Sequence, residues 1–337
     1  MFNISTTSAK IRISLLILLV GISPLLISWG VFGHEHIDRS AVFALPPQMR
    51  VFFYNHIDYI TEESTVPDLR KYTLNDKAEN PRHYIDLENF GSVDSLPKTM
   101  ADLKLKYDDK FLQKNGMLPW YIEEMMDKLT AAFKEKNKTQ ILFVAADLGH
   151  YLGDAHMPLH TSANYDGQQT NQKGIHALWE SQIPEMFGDN YNFYTGDAKY
   201  IADVPKETWN IIFTTHQLVD TILAKDLQLR AKFPGDKMYR KDNAGNVVKT
   251  SYGQPIFSDD YAKQLNDLLN GMVERQMKAS ISSTADFWYT AWVNAGKPDL
   301  SDLDSPELTK QNEKQMNMES DLWKKGKLFG LKSVKEY

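Results

Sequence analysis

Residues 139–160 read TQILFVAADLGHYLGDAHMPLH, and this stretch decides the fold class. Its apolar residues, among them Ile141, Leu148 and Leu152, recur at the 3.6-residue period of one helix face. Five more segments carry the same period, so we predict an all-α fold. These segments are Pro46 to Thr61, Leu118 to Lys134, Lys206 to Lys232, Asp259 to Ala279 and Ser283 to Ala295.

Two other segments resist the helical reading. Phe90 to Lys104 and Phe233 to Phe257 contain glycine and proline, so we predict loops, the second with the character of a hairpin. The charged segment from Ser301 to Tyr337 is predicted to form a peripheral helix and then a tail. We therefore expect one compact domain over residues 29–300, followed by this C-terminal segment at 301–337.

Residues 1–28 have the pattern of a secretory signal peptide. Lys10 and Arg12 precede a mainly apolar run that ends near Ser28, and the run is shorter than the ~20 residues that span a bilayer comfortably. We expect cleavage between Ser28 and Trp29, which would leave a periplasmic or secreted protein without a stable membrane anchor.

Composition narrows the classes of function. The chain has no cysteine, so an exported form has no disulfides and any extra bracing must come from packing or a metal. Without residues 1–28 it carries 36 basic against 44 acidic residues, a net charge near −8. This charge excludes a polycation built to bind duplex DNA.

Four of the nine histidines cluster in the middle of the chain. His150 and Asp154 are four residues apart on a predicted helix, so both side chains leave the same face one turn apart. His176 and Glu180 repeat this spacing, and a proline before His160 ends the first helix so that His160 turns back. Histidines and carboxylates that converge in this way predict a metal site.

Three further pieces lie upstream: Asp68, His83 fifteen residues later, and the sequence Trp-Gly-Val-Phe-Gly-His that runs from Trp29 to His34. Cleavage before Trp29 would free an α-amine beside its carbonyl, and these two groups together can chelate a metal. The order and spacing of all these residues resemble the zinc-dependent phospholipase C and S1/P1 nuclease superfamily, over roughly Trp29 to Glu180.

The resemblance implies a multi-helix domain with long loops that holds three zinc ions per chain. In such proteins the mature N-terminal tryptophan binds one zinc through its amine and its carbonyl oxygen. Carried over to this sequence, the zinc sites would be Trp29, His34 and Asp154; Asp68, His83, His150 and Asp154; and His160, His176 and Glu180.

The resemblance also implies a hydrolase that acts on phosphodiesters. Zinc lowers the pKa of a bound water toward ~7, and two zincs roughly 4 Å apart can stabilise charge on a phosphoryl group. The resemblance further suggests that Asp68, besides binding zinc, is catalytic and accepts a proton from the attacking water.

The substrate divides the superfamily. The segment from His160 to Glu180 is similar to the phospholipase branch, whereas the spacings from Trp29 to His34 and from Asp68 to His83 are similar to the nuclease branch. Choline-selective phospholipases carry aromatic residues where this chain has Leu69 and Asn80. We predict a phospholipase C-like hydrolase, with S1/P1-type cleavage of single-stranded DNA or RNA as the alternative.

A third reading is a zinc-stabilised, non-catalytic exported binding protein. Structural zinc sites are closed by four protein ligands, whereas the site of His160, His176 and Glu180 would have three. The open position favours catalysis. Residues near the motif are expected to have no direct role: Asp86, Glu88 and Asp147 solvated, Tyr151 and Trp179 packed on the core side.

Overall fold

The computed structural model describes residues 30–250 and 253–327. Within these ranges α-helices dominate and extended backbone occurs only as isolated antiparallel bridges, so the prediction of an all-α fold is confirmed. The expected signal peptide and Trp29 lie outside the described residues. The helices are α1 (Gly30–Ala44), α2 (Pro47–Asn55), α3 (Ile57–Glu63), α4 (Val66–Tyr72), α5 (Met100–Lys106), α6 (Asp109–Asn115), α7 (Leu118–Lys134), α8 (Lys138–Ala155), α9 (Ile175–Ala177), α10 (Ile183–Phe187), α11 (Val204–His216), α12 (Val219–Arg230), α13 (Asp259–Leu269), α14 (Met272–Asn294) and α15 (Pro306–Trp323).

Helix α8, which contains the stretch that decides the fold, lies at the centre. It packs against α1, α3, α7 and α14, and its residues Ala145, Leu148 and Leu152 are fully buried. Trp288 of α14 donates its indole N–H to the carbonyl of Ala145 at 2.9 Å, and its ring stacks on Phe53 with centroids 5.0 Å apart. Full burial of a large apolar side chain contributes about 1.5–3 kcal/mol, so this core holds α8 rigidly.

Two of the predicted helices have almost the expected bounds. Helix α7 is the predicted Leu118–Lys134 segment, and α8 extends the predicted helix by one residue at each end. Asn137 caps α8 because its side-chain oxygen accepts the backbone N–H of Gln140 at 3.2 Å.

Three helix boundaries differ from the prediction. The first predicted helix breaks at His56, whose ring nitrogen bonds Asp304 at 2.7 Å, and a second break separates α11 from α12. Between α13 and α14 the chain turns at Asn270 and Gly271, both with positive φ. Asparagine and glycine tolerate this conformation best. Helix α14 therefore begins at Met272 and continues through the point where we predicted an end.

The first predicted loop contains more order than expected, the second has the predicted hairpin character, and several helices, among them α1, α4 and α6, were missed. Helix α5 begins inside the first loop and is capped by Thr99, which accepts the N–H of Asp102 at 3.1 Å. In the second, Tyr239 and Phe257 form an antiparallel bridge, as do Lys241 and Val247. Helix α1 was not predicted at all.

The C-terminal helix α15 packs against α2. Arg39 of α1 donates a hydrogen bond to Glu319 at 2.9 Å, which ties α15 to the N-terminal part of the fold. Among the residues described, we find no helix with both the length and the apolar character needed to cross a bilayer.

Helices α1 and α8 approach most closely at Gly149. A Cβ atom at this position would lie 2.0 Å from Oδ1 of Asp38, so only glycine fits. Asp38 is fully buried, and neither of its carboxylate oxygens has a hydrogen-bond partner. Burial, with a smaller contribution from Asp147, raises the pKa of Asp38 well above its usual value. The ionised carboxylate therefore opposes folding.

We predict that Asp38→Asn stabilises the metal-free protein by ~1–2 kcal/mol at pH 8, because it removes a charge that is buried without a partner. The raised pKa means that the folded state keeps the proton above the pH at which the unfolded chain loses it. Wild-type stability is thus lost as the pH rises from about 4, and the gain of the variant should shrink as the pH falls.

Thermal unfolding in the presence of a chelator, at pH 8 and at pH 5, measures this difference. The control is Asp58→Asn, because the side chain of Asp58 is 89% exposed. A variant at position 38 that melts at or below the wild-type temperature at pH 8 would contradict the prediction.

Candidate metal centre

Five of the predicted ligands lie in the core, and four different segments of the fold supply them. His34 comes from α1, Asp68 from α4, and His83 from the end of a 3-10 turn, while α8 supplies the last two one turn apart. All five are fully buried: His34, Asp68, His83, His150 and Asp154. The structure therefore brings together residues spread over more than a hundred positions of sequence.

Asp154 lies between two groups of candidate ligands. Its Oδ2 is 3.0 Å from Nδ1 of His83 and 3.3 Å from Nε2 of His150, and its Oδ1 is 3.8 Å from Nε2 of His34. Nδ1 of His83 is also 3.5 Å from Oδ1 of Asp68. One carboxylate thus faces both groups, as expected for a bridging ligand.

A third group lies beside the first two. His176 places Nε2 at 3.0 Å from Oε1 of Glu180, and His160 places Nε2 at 3.3 Å from Oε2. His160 also lies close to the first two groups, because its Nδ1 is 3.4 Å from Oδ1 of Asp154. Glu180 lies in the π-helical turn Leu178–Gln182, a departure from α-helix that is frequent at functional sites.

The donors fit zinc. In each of three groups the ligand atoms lie within 4.8 Å of one another, and imidazole with carboxylate is a donor set that suits this ion. Both ring nitrogens of His34 and both oxygens of Asp68 are buried without a hydrogen-bond partner. Buried polar groups without partners are rare, and a bound cation would satisfy these. The groups are His34, His150 and Asp154; Asp68, His83 and His150; and His160, His176 and Glu180.

Three of the histidines are oriented by backbone carbonyls. Nδ1 of His150 bonds the carbonyl of Ser64 at 2.7 Å, Nδ1 of His160 bonds that of His83 at 2.6 Å, and Nδ1 of His176 bonds that of Tyr165 at 2.9 Å. A carbonyl only accepts, so each Nδ1 carries the proton and each Nε2 presents a lone pair. This is the tautomer that binds a metal.

The electrostatics of these donors show what a cation would change. Burial raises the pKa of Asp68 to about 7, although His150 and Lys71 oppose the shift. Burial lowers the pKa of His83 to about 4. Burial also disfavours charge on His176, yet the Glu180 carboxylate raises the pKa of His176 to about 9. A bound cation would favour the ionised carboxylates and the neutral imidazoles.

His34 reaches the cluster because of a second glycine on α8. A Cβ atom at Gly153 would lie 3.2 Å from Nδ1 and from Cε1 of His34, so the His34 ring lies directly against the helix backbone. The ring also stacks on that of His150, with centroids 3.8 Å apart. Any side chain at position 153 would push His34 away from Asp154.

A cavity of 880 Å³ opens onto the third group. His160, His176 and Glu180 line it, and His176 retains 23% of its side-chain exposure. The other lining residues include two lysines, three tyrosines and several amides, which are Lys71, Lys114, Tyr72, Tyr84, Tyr165, Asn80, Asn89, Gln168 and Gln169. The third group can thus meet a substrate from outside.

Sequence analysis missed several residues around the centre. Glu79 is fully buried next to His83, and Asp147, predicted to be solvated, is buried and paired with Arg70 at 2.6 Å. Asp86 is buried too, which also differs from the prediction, and it lines the cavity. Glu79 lies one helical turn before His83, and this spacing was the one available clue. Tyr151 is buried as predicted.

The all-α fold and the buried cluster of histidines and carboxylates define a helical protein with a candidate metal centre. Residues 29–252 match the model of the S1/P1 nuclease family, so the chain belongs to this family, which lies in the superfamily that the sequence resembles. The family is zinc-dependent and of the phosphodiesterase type. A comparison with curated proteins finds no match.

We predict that Gly153→Ala lowers the affinity of the His34 group for zinc by about tenfold, because the added Cβ displaces the ring by a few tenths of an ångström. Gly235→Ala is the control, since no atom lies within 4 Å of a Cβ atom there. Zinc titration against a competing chelator measures the change. Equal affinities in the two variants would show that this contact does not determine the position of His34.

Proposed function

We propose that this chain is an exported phosphodiesterase that binds three zinc ions and cleaves single-stranded nucleic acid. The observation that carries the proposal is that the third group of candidate ligands lines a cavity that two lysines also line, while His160 of this group lies 3.4 Å from Asp154 of the buried groups. The ligands would be those of the three groups described above, completed at the His34 group by Trp29. When bound, zinc ions would supply a hydroxide and stabilise charge on the phosphoryl oxygens.

Asp68 is the residue that we propose as the base. Both of its oxygens lack hydrogen-bond partners, and they lie in the group that contains His83 and His150. One oxygen can bind a cation while the other accepts the proton of the attacking water. A buried carboxylate does this without competition from bulk solvent.

Lys71 supports the same reaction from the next turn of chain. It lies three residues after Asp68, and it lines the cavity with its ammonium 4.6 Å from the Tyr72 ring centroid. A substrate phosphate at the inner end of the cavity would meet this positive charge. Lys114 lines the same cavity and is a second positive charge for a chain of phosphates.

The cavity lining favours nucleic acid among the two substrate classes. Tyrosine rings provide surfaces on which unpaired bases stack, and Tyr84 and Tyr165 both line the cavity. Tyr165 is 52% exposed, so its ring is open to a ligand. The carboxyl of Asp86 and the neighbouring amides can bond the edges of bases. Membership of the S1/P1 family supports the same choice.

Phospholipase C-like activity, which the sequence analysis predicted as the main function with the nuclease as its alternative, is the second candidate here. It is supported by the segment from His160 to Glu180, which folds into the third group with Glu180 as its carboxylate. Asp86 in the cavity wall is an acidic partner for a cationic head group. A tyrosine and a carboxylate together can bind such a group.

Export rests on the pattern of residues 1–28. Gly30, the first described residue, has a left-handed backbone, and a Cβ atom there would lie 3.2 Å from Oγ of Ser181. Gly30 therefore lies beside the turn that holds Glu180. The mass of the exported protein is expected to correspond to Trp29 as its first residue. Retention of residues 1–28 would overturn both the export proposal and the role of Trp29.

Turnover on single-stranded DNA, RNA, phosphatidylcholine and phosphatidylethanolamine, with and without a chelator, tests the substrate. We expect cleavage of both nucleic acids and its loss with the chelator. Cleavage of lipids alone would replace our proposal by the second candidate. Bound zinc without turnover on any of the four would contradict both, and would favour the non-catalytic alternative.

Asp68→Asn tests the base. The amide retains the volume and one ligand oxygen but cannot accept the proton, so we expect zinc to be largely retained while turnover falls ~10²–10⁴-fold. Asp76→Asn is the control, because Asp76 is exposed on the same segment. Near-normal turnover of the Asp68 variant with its zinc in place would remove the base assignment.

A further inference from the structure

His83 is oriented differently from the other histidines of the centre. Its Nδ1 faces Asp154 and Asp68, at 3.0 and 3.5 Å, so Nδ1 is the nitrogen that would bind metal. Its Nε2 lies on the far side of the ring, 3.5 Å from Oε1 of Glu79. The described part of the chain thus gives His83 a carboxylate where three other histidines have a backbone carbonyl.

Glu79 is fixed by its surroundings. It is fully buried, and its Oε2 accepts hydrogen bonds from Nε of Arg70 at 3.1 Å and from Nη1 of Arg82 at 2.9 Å. Its Oε1 accepts the hydroxyl of Tyr151. These donors leave the carboxylate no freedom to rotate away, and the two guanidinium groups balance its charge.

Arg70 extends the network to α8. Its Nη2 pairs with Asp147 at 2.6 Å, and the Tyr151 hydroxyl comes from the same helix one turn later. Asp147 and Tyr151 both precede Asp154 on α8. Helix α8, which supplies His150 and Asp154, therefore also holds Glu79, the residue that faces His83. The network of contacts around Glu79 includes two acids and two arginines.

We propose that Glu79 is a positioning residue for the metal centre, where it accepts the Nε2 proton of His83 and thereby presents Nδ1 to the metal. A carboxylate in this place fixes the tautomer and the ring orientation and makes the imidazole a stronger ligand. Glu79 touches neither metal nor substrate and acts through His83. This inference rests on the proposed function only in requiring that the centre binds zinc.

Glu79→Gln in the full mature chain tests the proposal with zinc alone as the probe. We expect the equivalent of zinc bound by the His83 group to lose 10- to 100-fold in affinity against a competing chelator. Glu79→Asp, which keeps the charge but shortens its reach, should lose less. Glu62→Gln is the control, since Glu62 is exposed on α3 and should bind zinc as the wild type does. Melting of each metal-free variant shows whether it is folded.

A cycle with His83→Ala separates positioning from a purely structural role. If Glu79 acts through His83, Glu79→Gln should change zinc affinity in the wild-type background and leave it unchanged in the His83→Ala background. Unaltered zinc affinity of folded Glu79→Gln, or an equal loss in both backgrounds, would overturn the proposal. Wild-type protein that binds zinc without turnover would overturn the proposed function alone, and wild-type protein without zinc would overturn both.

Discussion

The fold depends on a cluster of buried polar groups. Burial of these groups is unfavourable unless other interactions replace those they made with water. Asp68, Asp154 and three histidines share one fully buried site, and the atoms of His34 and Asp68 have no hydrogen-bond partners. Burial of such groups normally costs several kcal/mol. Bound cations would provide the missing partners, so in our account metal binding and stability of this fold are linked.

The helices are arranged to bring these groups together. Helix α8 has no side chain at Gly149 and Gly153, and this lets α1 approach closely enough for His34 to reach Asp154. The same close approach buries Asp38 without a partner. The packing that completes the site thus includes an unfavourable contact one helical turn away, a combination typical of functional sites.

The inner side of this cluster is held by hydrogen bonds, whereas the side of the third group is open to the cavity. Backbone carbonyls and the network of Glu79, Arg70 and Asp147 fix the rings on the inner side. The third group faces the cavity, with His176 partly exposed. Stability and specificity can therefore change almost independently, because different residues supply them. This separation would explain how one metal centre serves phospholipases and nucleases within one superfamily.

The sequence predicted the helical class and most of the long helices, because the 3.6-residue period of apolar residues can be read directly from one sequence. The i, i+4 pairs His150–Asp154 and His176–Glu180 predicted part of the centre, whereas His34, Asp68 and His83, which the structure also places there, were assigned only through the resemblance. The sequence did not predict α1, whose burial on nearly all sides removes the amphipathic pattern. The break at His56 depends on a partner 248 residues away, and the burial of Asp147 depends on Arg70, which lies 77 residues away. Such contacts are tertiary and leave no local pattern.

The most direct test of the central claim is a crystal structure of the mature protein with diffraction data collected above and below the zinc absorption edge. The account predicts three anomalous peaks, one in each group of candidate ligands, with Asp154 between two of them. Peaks that lie elsewhere, or an ordered centre without any anomalous scatterer in protein purified with zinc, would contradict it.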